Sequence, residues 1–279
     1  MPNDGMTVLV AGATGNVGAE VVRALVEHGV GEVRALSRRG GALAGAVPVT
    51  GDLADRTGVA HVWTGVDAVF LSAGQPDVAG LLADMRAAGV RRVVLLSTGA
   101  VVGGDLDNAV TRFNVVSEAA VRDAGLAWTV LRPSGFASNA LQWVPQLRAG
   151  DVVREPFADV PVAVIDPADI GAVAALALIS DDLAGRSLRL TGPEATLPAD
   201  RLAVLADLLG RDLHLDPEPD DAAHHRMSAA MPPQYVDAFF RFFRRGEYDD
   251  SRVTSVVPDL LGRPARTFRQ WAEGHRDAF

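Results

Sequence analysis

The chain has 279 residues, a net charge of −9 and 26 basic residues, every one of which is arginine. It contains neither lysine nor cysteine, which excludes Schiff-base chemistry, thiolate nucleophiles, disulfides, iron–sulfur clusters and cysteine-ligated zinc. The acidic balance argues against broad binding to nucleic-acid phosphates, and hydrophobic residues at 48% suffice for a large core.

The first half of the chain alternates short apolar runs with helical periodicity, which predicts βαβ units and a parallel α/β sheet covered on both faces. The predicted strands are Thr7–Ala11, Val33–Leu36, Val47–Thr50, Val66–Leu71, Arg92–Ser97 and Trp128–Arg132. The predicted helices are Asn16–His28, Val78–Ala88 and Thr111–Ala124.

The rhythm is less regular beyond residue 150. The predicted strands there are Val160–Ile165 and Ser187–Leu190, and the predicted helices are Ile170–Ile179 and Pro198–Leu209. Asp166 before Pro167 is interpreted as a helix cap with proline at the first helical position. We expect a nucleotide-binding domain at 1–155, to which 160–193 partly return, and a smaller, mainly helical domain at 194–279.

The polar N-terminal segment and the longest apolar run both argue against a membrane protein. The polar start Met1–Gly5 predicts no signal peptide. The apolar run Ala172–Ile179 is too short to span a bilayer. The sequence therefore predicts a cytoplasmic protein with no membrane and no nucleic-acid partner.

A glycine-rich turn lies between the first predicted strand and the first predicted helix. Glycines there let the backbone turn sharply and approach a pyrophosphate, to which the helix N-terminus offers free N–H groups. The spacing is G-x-x-G-x-x-G, and a bare tight turn is the alternative. The predicted cofactor-binding residues of this turn are Gly12, Thr14, Gly15, Asn16, Val17 and Gly18.

The end of the second strand distinguishes NADH from NADPH. An acidic residue at this point would hold the ribose 2′-hydroxyl of NAD, but the chain has Ser37, Arg38 and Arg39. Arginine binds a 2′-phosphate bidentately. The pattern therefore predicts NADPH/NADP as cofactor, with a solvated basic loop as the alternative.

Two further turns follow strands at the same edge of the predicted sheet. Asp52 and Leu53 follow the third strand, where a carboxylate can accept a hydrogen bond from the adenine amine. Ser72, Ala73 and Gly74 end the fourth strand, where small residues admit a ribose. Each could be only a turn, but their order along the chain favours one dinucleotide site.

The segments VLVAGATGNVG, SRRG, GDL, LLSTGA, LAWTVLRPSGFASN, SLRLTGPE and TFRQWAEGH resemble the NmrA-like group of atypical short-chain dehydrogenases/reductases. The resemblance implies a Rossmann-type doubly wound sheet, with a smaller C-terminal domain forming a cleft. It implies an NADPH-dependent reductase or a redox-sensing regulator. It also places the loop after the sixth strand, at Pro133, against the nicotinamide.

The wider superfamily uses a serine and a Tyr-x-x-x-Lys pair to donate a proton as hydride arrives. Ser97 matches the serine, whereas Val110 stands at the tyrosine position and Asn114 at the lysine position. Ser97 and Asn114 are the predicted catalytic residues, through hydrogen bonds to a carbonyl or to the nicotinamide ribose. The alternatives are a strand end for Ser97 and a helix cap for Asn114.

Aromatic residues supply the candidate substrate site. The predicted substrate residues are Phe136, Trp143, Tyr235 and Phe239. The helical spacing of the last two, with Phe243, is interpreted either as a lid or as an amphipathic helix packed on its own domain. Tyr235 is the candidate replacement phenol, and the adjacent His224 and His225 do not predict a metal site.

Taken together, these residues predict an NADPH-dependent reductase. Without an ionisable proton relay, it would favour conjugated or aromatic carbonyl, quinone or enone substrates, which take their proton from solvent. The alternative is a non-catalytic NADP(H)-binding redox sensor. We expect a small-molecule substrate and a monomer or homodimer.

Overall fold

Residues 4–103 and 105–279 are described by the structure, which is a computed structural model. Contacts within the chain divide it into two compact units. Unit 1 comprises Met1–Thr98, Phe113–Pro133 and Pro167–Arg189, and unit 2 comprises Gly99–Arg112, Ser134–Asp166 and Leu190–Phe279. The two units therefore alternate along the chain, and the domain boundaries expected from the sequence stay a prediction.

The helices and strands have the following bounds. The strands are β1 (Thr7–Ala11), β2 (Glu32–Ser37), β3 (Val47–Thr50), β4 (Ala68–Ser72), β5 (Arg92–Leu96), β6 (Ala127–Pro133), β7 (Val152–Glu155), β8 (Arg186–Leu190) and β9 (His214–Pro217). The α-helices are α1 (Asn16–Glu27), α2 (Val78–Ala87), α3 (Ala109–Asp123), α4 (Val144–Ala149), α5 (Pro167–Ile179), α6 (Pro198–Leu209), α7 (Asp220–Ala230), α8 (Pro233–Phe243), α9 (Val256–Leu261) and α10 (Phe268–Gly274). Short 3₁₀ helices lie at Ala60–Trp63, Gly99–Gly103, Ala137–Trp143 and Arg276–Ala278.

Unit 1 is built on a seven-stranded sheet in the order β3-β2-β1-β4-β5-β6-β8. The pairs from β3 through β6 are all parallel. Strand residues such as Leu9, Val69, Val93 and Val130 are fully buried, because helices cover both faces of such a sheet. The predicted doubly wound Rossmann-type fold is confirmed.

The strand order positions the candidate site. After β1 the chain proceeds outward to β2 and β3, and it then returns to the other side of β1 with β4. A crevice forms outside the carboxyl ends of the strands at such a reversal. The turns that follow β1, β2, β3 and β4 meet at this edge, so the sequence segments predicted to bind the cofactor are brought together.

Unit 2 is mainly helical, and its sheet is only the parallel pair β7–β9. Its larger core buries two tryptophans, Trp143 and Trp271, each 1% exposed. Helices α6 and α10 pack in this core through Leu202, Leu205 and Phe268. A smaller aromatic cluster forms around Phe157, Val236 and Met227.

The prediction of a strand at Val160–Ile165 is wrong. This segment is apolar and largely buried, as a strand would be, but Pro161 lacks an N–H group and three of the other donors bond to three different segments. Val162 donates to Thr196, Ala163 to Asp250 and Ile165 to Gly135, at 2.8–3.0 Å. No single partner strand runs beside it, so apolar periodicity indicated burial correctly and strand pairing incorrectly.

Candidate functional site

The turn after β1 has the geometry that a diphosphate requires. Gly12 has φ +67°, a conformation that disfavours side chains, and its carbonyl accepts a hydrogen bond from the Gly15 N–H at 3.0 Å. A Cβ on Gly18 would lie 2.2 Å from the Gly12 carbonyl oxygen. Helix α1 thus begins directly against the turn, and its N-cap residue Gly15 makes no side-chain cap hydrogen bond. The N-terminus of a helix at such a turn attracts an anion.

A groove of about 480 Å³ opens beside this turn, entirely within unit 1. Seven of the predicted cofactor residues line it: Gly12, Thr14, Gly15, Arg38, Asp52, Leu53 and Ser72. Ser37 and Gln75 line it as well. Gln75 was missed by sequence reasoning, although its place directly after the small-residue turn was a usable signal.

The other predicted cofactor residues do not line the groove, and all but Pro133 lie next to its lining residues in the sequence. Asn16, Val17 and Gly18 form the first turn of α1, and Arg39 follows the lining residue Arg38. Ala73 and Gly74 follow β4, and Pro133 is the last residue of β6. Gly74 has φ +86°, and its N–H donates to the Ser117 hydroxyl at 3.1 Å.

Arg38 and Arg39 are both exposed. Neither forms a hydrogen bond or an ion pair with another residue of the described chain. Asp52 accepts a hydrogen bond from the Ala54 N–H at 3.0 Å, which orients its carboxylate in the groove wall. The two guanidinium groups are therefore available to a phosphate outside the protein's own ion pairs.

Ser97 lies directly after β5 and is buried beside a carboxylate. Its hydroxyl donates to Glu118 Oε1 at 2.7 Å. Glu118 also accepts hydrogen bonds from Arg132, at 2.9 and 2.6 Å, and from Arg122 at 2.5 Å. Burial acts to raise the pKa of Glu118, but the bonds from Arg132, Ser97 and Arg122 outweigh it and hold the pKa below its ordinary value.

Asn114 lies inside α3 and is 4% exposed. Its interpretation as a helix cap is wrong, because Asn108 caps this helix. The Asn108 side-chain oxygen accepts from the N–H groups of Val110 and Thr111 at 3.0 and 3.2 Å. The catalytic roles of Ser97 and Asn114 stay predictions.

The residues of the groove fit a nicotinamide dinucleotide. The lining glycines Gly12 and Gly15 present no Cβ to a pyrophosphate, and helix α1 can pack directly on their turn because Gly18 has no Cβ either. The turn after β2 provides arginines without partners in the described chain, and β4 ends at the wall with the small residue Ser72. The groove would hold the phosphates at Gly12–Gly15 and the ribose 2′-position near Arg38.

A second cavity, of about 560 Å³, lies entirely within unit 2. Its wall is mostly apolar and aromatic. The apolar side chains that line it are Phe136, Trp143, Phe157, Val160, Val162, Val164, Met227, Met231, Phe239 and Phe243. Three of the four predicted substrate residues are therefore brought together here, and Tyr235 is not part of the lining.

The charged part of the cavity wall, which sequence reasoning missed, consists of two acids and two arginines: Glu155, Asp250, Arg201 and Arg226. Glu155 accepts a 2.7 Å hydrogen bond from the Trp143 indole, and burial raises its pKa. Arg226 binds Glu218 through two hydrogen bonds of 2.9 and 2.6 Å. Arg201 is half-buried, and burial lowers its pKa to about 10.

Helix α8 forms one side of this cavity with its aromatic residues. Phe240 meets Phe157 edge-on at 5.0 Å between ring centroids, and Phe239 and Phe243 line the cavity. Phe157 itself has φ +54°, an uncommon conformation for a side chain of its size. The helix is amphipathic and packs on its own unit, as the second interpretation had it, while part of its apolar face remains open to the cavity.

The described residues contain neither a cluster of candidate metal ligands nor a membrane-spanning helix. No group of three or more His, Cys, Asp or Glu side chains in residues 4–103 and 105–279 could hold a metal ion. His224 packs against the Phe240 ring at 5.4 Å. None of the described helices is both long and apolar enough to cross a membrane.

Comparison with known proteins supports the assignment of the groove. Residues 12–179 match the family model described as NAD(P)H-binding. The chain is 40% identical to the (4-alkanoyl-5-oxo-2,5-dihydrofuran-3-yl)methyl phosphate reductase of Streptomyces griseus, over 98% of this chain and 99% of that protein. It is 31% identical to the NAD(P)H azoreductase of Xenophilus azovorans, over 98% and 99%.

The fold is also found in solved structures. An NADPH-dependent quinone oxidoreductase from Escherichia coli, crystallised with NADPH, superposes with a TM-score of 0.77 at 21% identity, over 97% of this chain and 99% of that one. The prediction of a nicotinamide dinucleotide as cofactor is confirmed by the family match. The chain belongs to the NAD(P)H-binding, NmrA-like group of atypical short-chain dehydrogenases/reductases, and it is an oxidoreductase.

Proposed function

We propose that this chain is an NADPH-dependent reductase of a carbon–carbon double bond conjugated with two carbonyl groups, as in an alkanoyl-substituted dihydrofuranone. The observation that carries the proposal is the pair Val110 and Asn114, which stand where a proton-donating tyrosine and lysine would be. The substrate must therefore accept hydride without receiving a proton from a phenol. The 40% identical Streptomyces griseus reductase, whose name describes such a ring, supports this choice.

The chemistry of this substrate explains why the proton relay is dispensable. Hydride adds to the ring carbon β to the carbonyls, and the electron pair of the double bond moves onto the carbonyl oxygens. The resulting enolate shares its charge between the lactone and the ketone, so it is a far weaker base than the alkoxide formed from an isolated ketone. Water then protonates the α carbon in a separate step, which completes the reduction.

The residues of the chain have two tasks in this reaction. The Gly12–Gly15 turn and Arg38 hold the dinucleotide, which supplies the hydride when it is bound. The apolar wall at Phe136 and Phe239 holds the ring and its alkanoyl chain and excludes water from them. Because neither task needs an ionisable catalytic side chain, we propose positioning and desolvation as the protein's contributions.

The test is transfer of deuterium from 4-deuterated NADPH to a panel of acceptors. The panel comprises an alkanoyl dihydrofuranone, an isolated aliphatic ketone, a naphthoquinone and an azo dye. We expect deuterium at the β ring carbon of the dihydrofuranone, no transfer to the isolated ketone, and a higher kcat/KM for the dihydrofuranone than for the dye or quinone. Reduction of the isolated ketone at a comparable rate would contradict the proposal, as would binding of NADPH without transfer to any acceptor.

Both tyrosines of the chain should be dispensable for the proton step. Tyr235 lies outside the cavity lining, and the Tyr248 hydroxyl donates to Asp250 at 2.8 Å. We expect Tyr235→Phe and Tyr248→Phe to keep kcat on the dihydrofuranone within about twofold of the parent value, since removal of a true general acid costs about a hundredfold or more. A hundredfold loss in either variant would identify a phenol as the acid.

A further inference from the structure

We propose that Arg201 binds a phosphate monoester on the substrate, so that the unit 2 cavity selects molecules with an anionic end and an apolar chain. This inference rests on the proposed function, because it names the substrate class that the same cavity takes. It is carried by a guanidinium group that has no acidic partner within ion-pair distance and that lies on the wall of a mostly apolar cavity.

Arg201 is held in place without being neutralised. Its Nη1 atom donates to the Thr196 carbonyl oxygen at 2.8 Å and to the Thr196 hydroxyl at 3.2 Å. Nε and Nη2 form no hydrogen bond within the described chain, and no carboxylate of that chain lies within 4.0 Å. One edge of the guanidinium is therefore anchored, and the rest remains available to a ligand.

The other charged groups of the wall already have donors or acceptors. Arg226 is paired with Glu218 by hydrogen bonds. The Asp250 carboxylate accepts hydrogen bonds from the Gly135 N–H at 2.9 Å and from the Tyr248 hydroxyl at 2.8 Å. The Glu155 carboxylate accepts from Trp143 and, at 3.2 Å, from Gln142. Glu155 interacts electrostatically with Arg201 without forming an ion pair. Of the two arginines that line the cavity, only Arg201 lacks an acidic partner.

The rest of the lining suits an alkyl chain. Val160, Met227, Met231, Phe239 and Phe243 offer an apolar wall, and methionines adapt to chains of different length. A cavity of about 560 Å³ has the size of a small-molecule site. An arginine next to such a wall favours an amphiphilic anion, because a charge-assisted hydrogen bond is stronger where water is scarce.

Carboxylate and phosphate both match a guanidinium fork, and the binding experiment separates them. Hexyl phosphate, heptanoate and hexanol are titrated by calorimetry into the protein saturated with NADP⁺. We expect hexyl phosphate to bind more tightly than heptanoate, and hexanol to bind weakest. Heptanoate that binds as tightly as hexyl phosphate would overturn the assignment to a phosphate, and hexanol that binds as tightly would overturn the anion site.

A substitution of Arg201 and a matched control test whether this arginine binds the phosphate. Arg201→Met keeps the length of the side chain without its charge and should weaken hexyl phosphate at least about tenfold, the loss of one charge-assisted hydrogen bond. The matched control is Arg154→Met, because Arg154 is an exposed arginine of the same unit that does not line the cavity. Unchanged affinity in Arg201→Met, or an equal loss in Arg154→Met, would overturn the proposal.

Glu155→Gln tests the same site without touching the arginine. Glutamine can still accept the Trp143 hydrogen bond, but it removes the negative charge that acts on Arg201. At mildly alkaline pH we expect this variant to bind hexyl phosphate several-fold more tightly. An unchanged or weaker affinity would contradict the proposal, even if Arg201→Met failed to fold.

Kinetics distinguish failure of this inference from failure of the proposed function. Two substrates are compared with the parent chain and with Arg201→Met. One is an alkanoyl dihydrofuranone that carries a phosphate ester on a hydroxymethyl group, and the other is the same molecule with a free hydroxymethyl group. We expect the substitution to lower kcat/KM for the phosphate at least about tenfold, and to leave the alcohol nearly unchanged. Equal turnover of phosphate and alcohol by the parent would overturn the inference alone, whereas turnover of neither, with hexyl phosphate still bound through Arg201, would overturn the proposed function alone.

Discussion

We expect Arg38 and Arg39 to determine which cofactor the groove of unit 1 prefers. Arg38 lines the groove, Arg39 follows it, and both guanidinium groups are without partners in the described chain. A 2′-phosphate would give them charge-assisted hydrogen bonds, whereas the 2′-hydroxyl of NADH offers only a neutral one. We expect the double substitution to Ala to weaken NADPH by about 2 kcal/mol, or about thirtyfold, and NADH by less than threefold.

The measurement is the dissociation constant of each reduced cofactor, from the change in nicotinamide fluorescence. Arg23→Ala serves as the control, because Arg23 is an exposed arginine of the same unit that pairs with Glu20 and Glu27 on α1. Equal losses for NADPH and NADH would show that the two arginines act only through general charge, and the assignment to the 2′-phosphate would fall.

The environment of Glu118 is a feature of the fold that the sequence pattern does not predict. In the sequence it stands four residues before Arg122, the spacing of an ordinary exposed ion pair on a helix. In the structure it is 1% exposed and joins Ser97, Arg122 and Arg132 in one network. Arg132 comes from β6, so only the tertiary fold brings the network together, and no spacing in the sequence predicts it.

Glu118→Gln should be destabilising in a pH-dependent way. The substitution leaves two arginines facing a neutral amide, and we expect a loss of about 3 kcal/mol at neutral pH, the lower end for a broken buried ion pair. Because the pKa of Glu118 in the folded chain lies below its ordinary value of 4.5, its contribution is present above that pH and is lost as the pH falls through the folded value.

Urea unfolding of the two proteins across pH 3–7 measures this difference. The stability curve of the parent should fall on the acid side more steeply than that of Glu118→Gln, so the two should converge towards low pH. A constant difference across the whole range would mean that the carboxylate contributes packing rather than charge.

At the level of elements, the turn between β1 and α1 depends on the absence of a side chain at Gly18. Alanine is favoured over glycine inside a helix by about 1 kcal/mol, so a neutral contact would make Gly18→Ala stabilising. The added Cβ would instead lie 2.2 Å from the Gly12 carbonyl oxygen. We expect this variant to lose stability and to bind NADPH at least about tenfold more weakly, because the phosphate-binding turn must shift.

Gly171→Ala provides the matched control for this prediction. Its Cβ would lie 2.6 Å from the backbone carbon of Glu20, where α5 packs against α1. Both substitutions force backbone apart, but only Gly18 adjoins the groove. Thermal unfolding should show a loss in both variants, and calorimetry with NADPH a loss only in Gly18→Ala. Weakened cofactor binding in both would point to general unfolding.

The strands of the two units show which elements sequence periodicity can predict. The six strands predicted in the first half are present with ends shifted by at most two residues. Most of them are apolar runs buried within the sheet, whereas β3 is a largely exposed edge strand. The strands β7 and β9 escaped prediction, since each has four residues and carries charged or polar side chains such as Arg154 and Asp216. Short pairs at the edge of a helical unit have no periodic signal.

At the scale of the whole molecule, the two sites differ in how far the sequence predicts them. The groove of unit 1 is made by turns that directly follow strands, so chain order alone brought Gly12, Arg38, Asp52 and Ser72 together. The cavity of unit 2 takes its polar wall from β7, α6 and α7, at Glu155, Arg201 and Arg226. These residues lie far apart in the sequence with no repeated motif, and only the folded chain shows that they share a wall.

The absence of lysine and cysteine gives the whole molecule a chemical signature. Every basic side chain that could bind a phosphate in either site is an arginine. Acylation of amines and alkylation of thiols should therefore leave the reductase activity intact, whereas phenylglyoxal, which modifies arginine, should abolish it. We expect NADPH to slow the inactivation by phenylglyoxal more than an equally saturating amount of NADH, because only NADPH would cover Arg38 and Arg39.

The chain with both of these arginines replaced by Ala supplies the control. In that variant NADPH and NADH should protect equally, since the remaining arginines do not distinguish the two cofactors. Peptide mass mapping of the unprotected parent should find Arg38, Arg39 and Arg201 modified before Arg132 or Arg226. The first three have no acidic partner in the described chain, whereas the last two have guanidinium groups bound to glutamates. Modification of the paired arginines first, or rapid inactivation by amine acylation, would contradict this account of where the chain binds its anions.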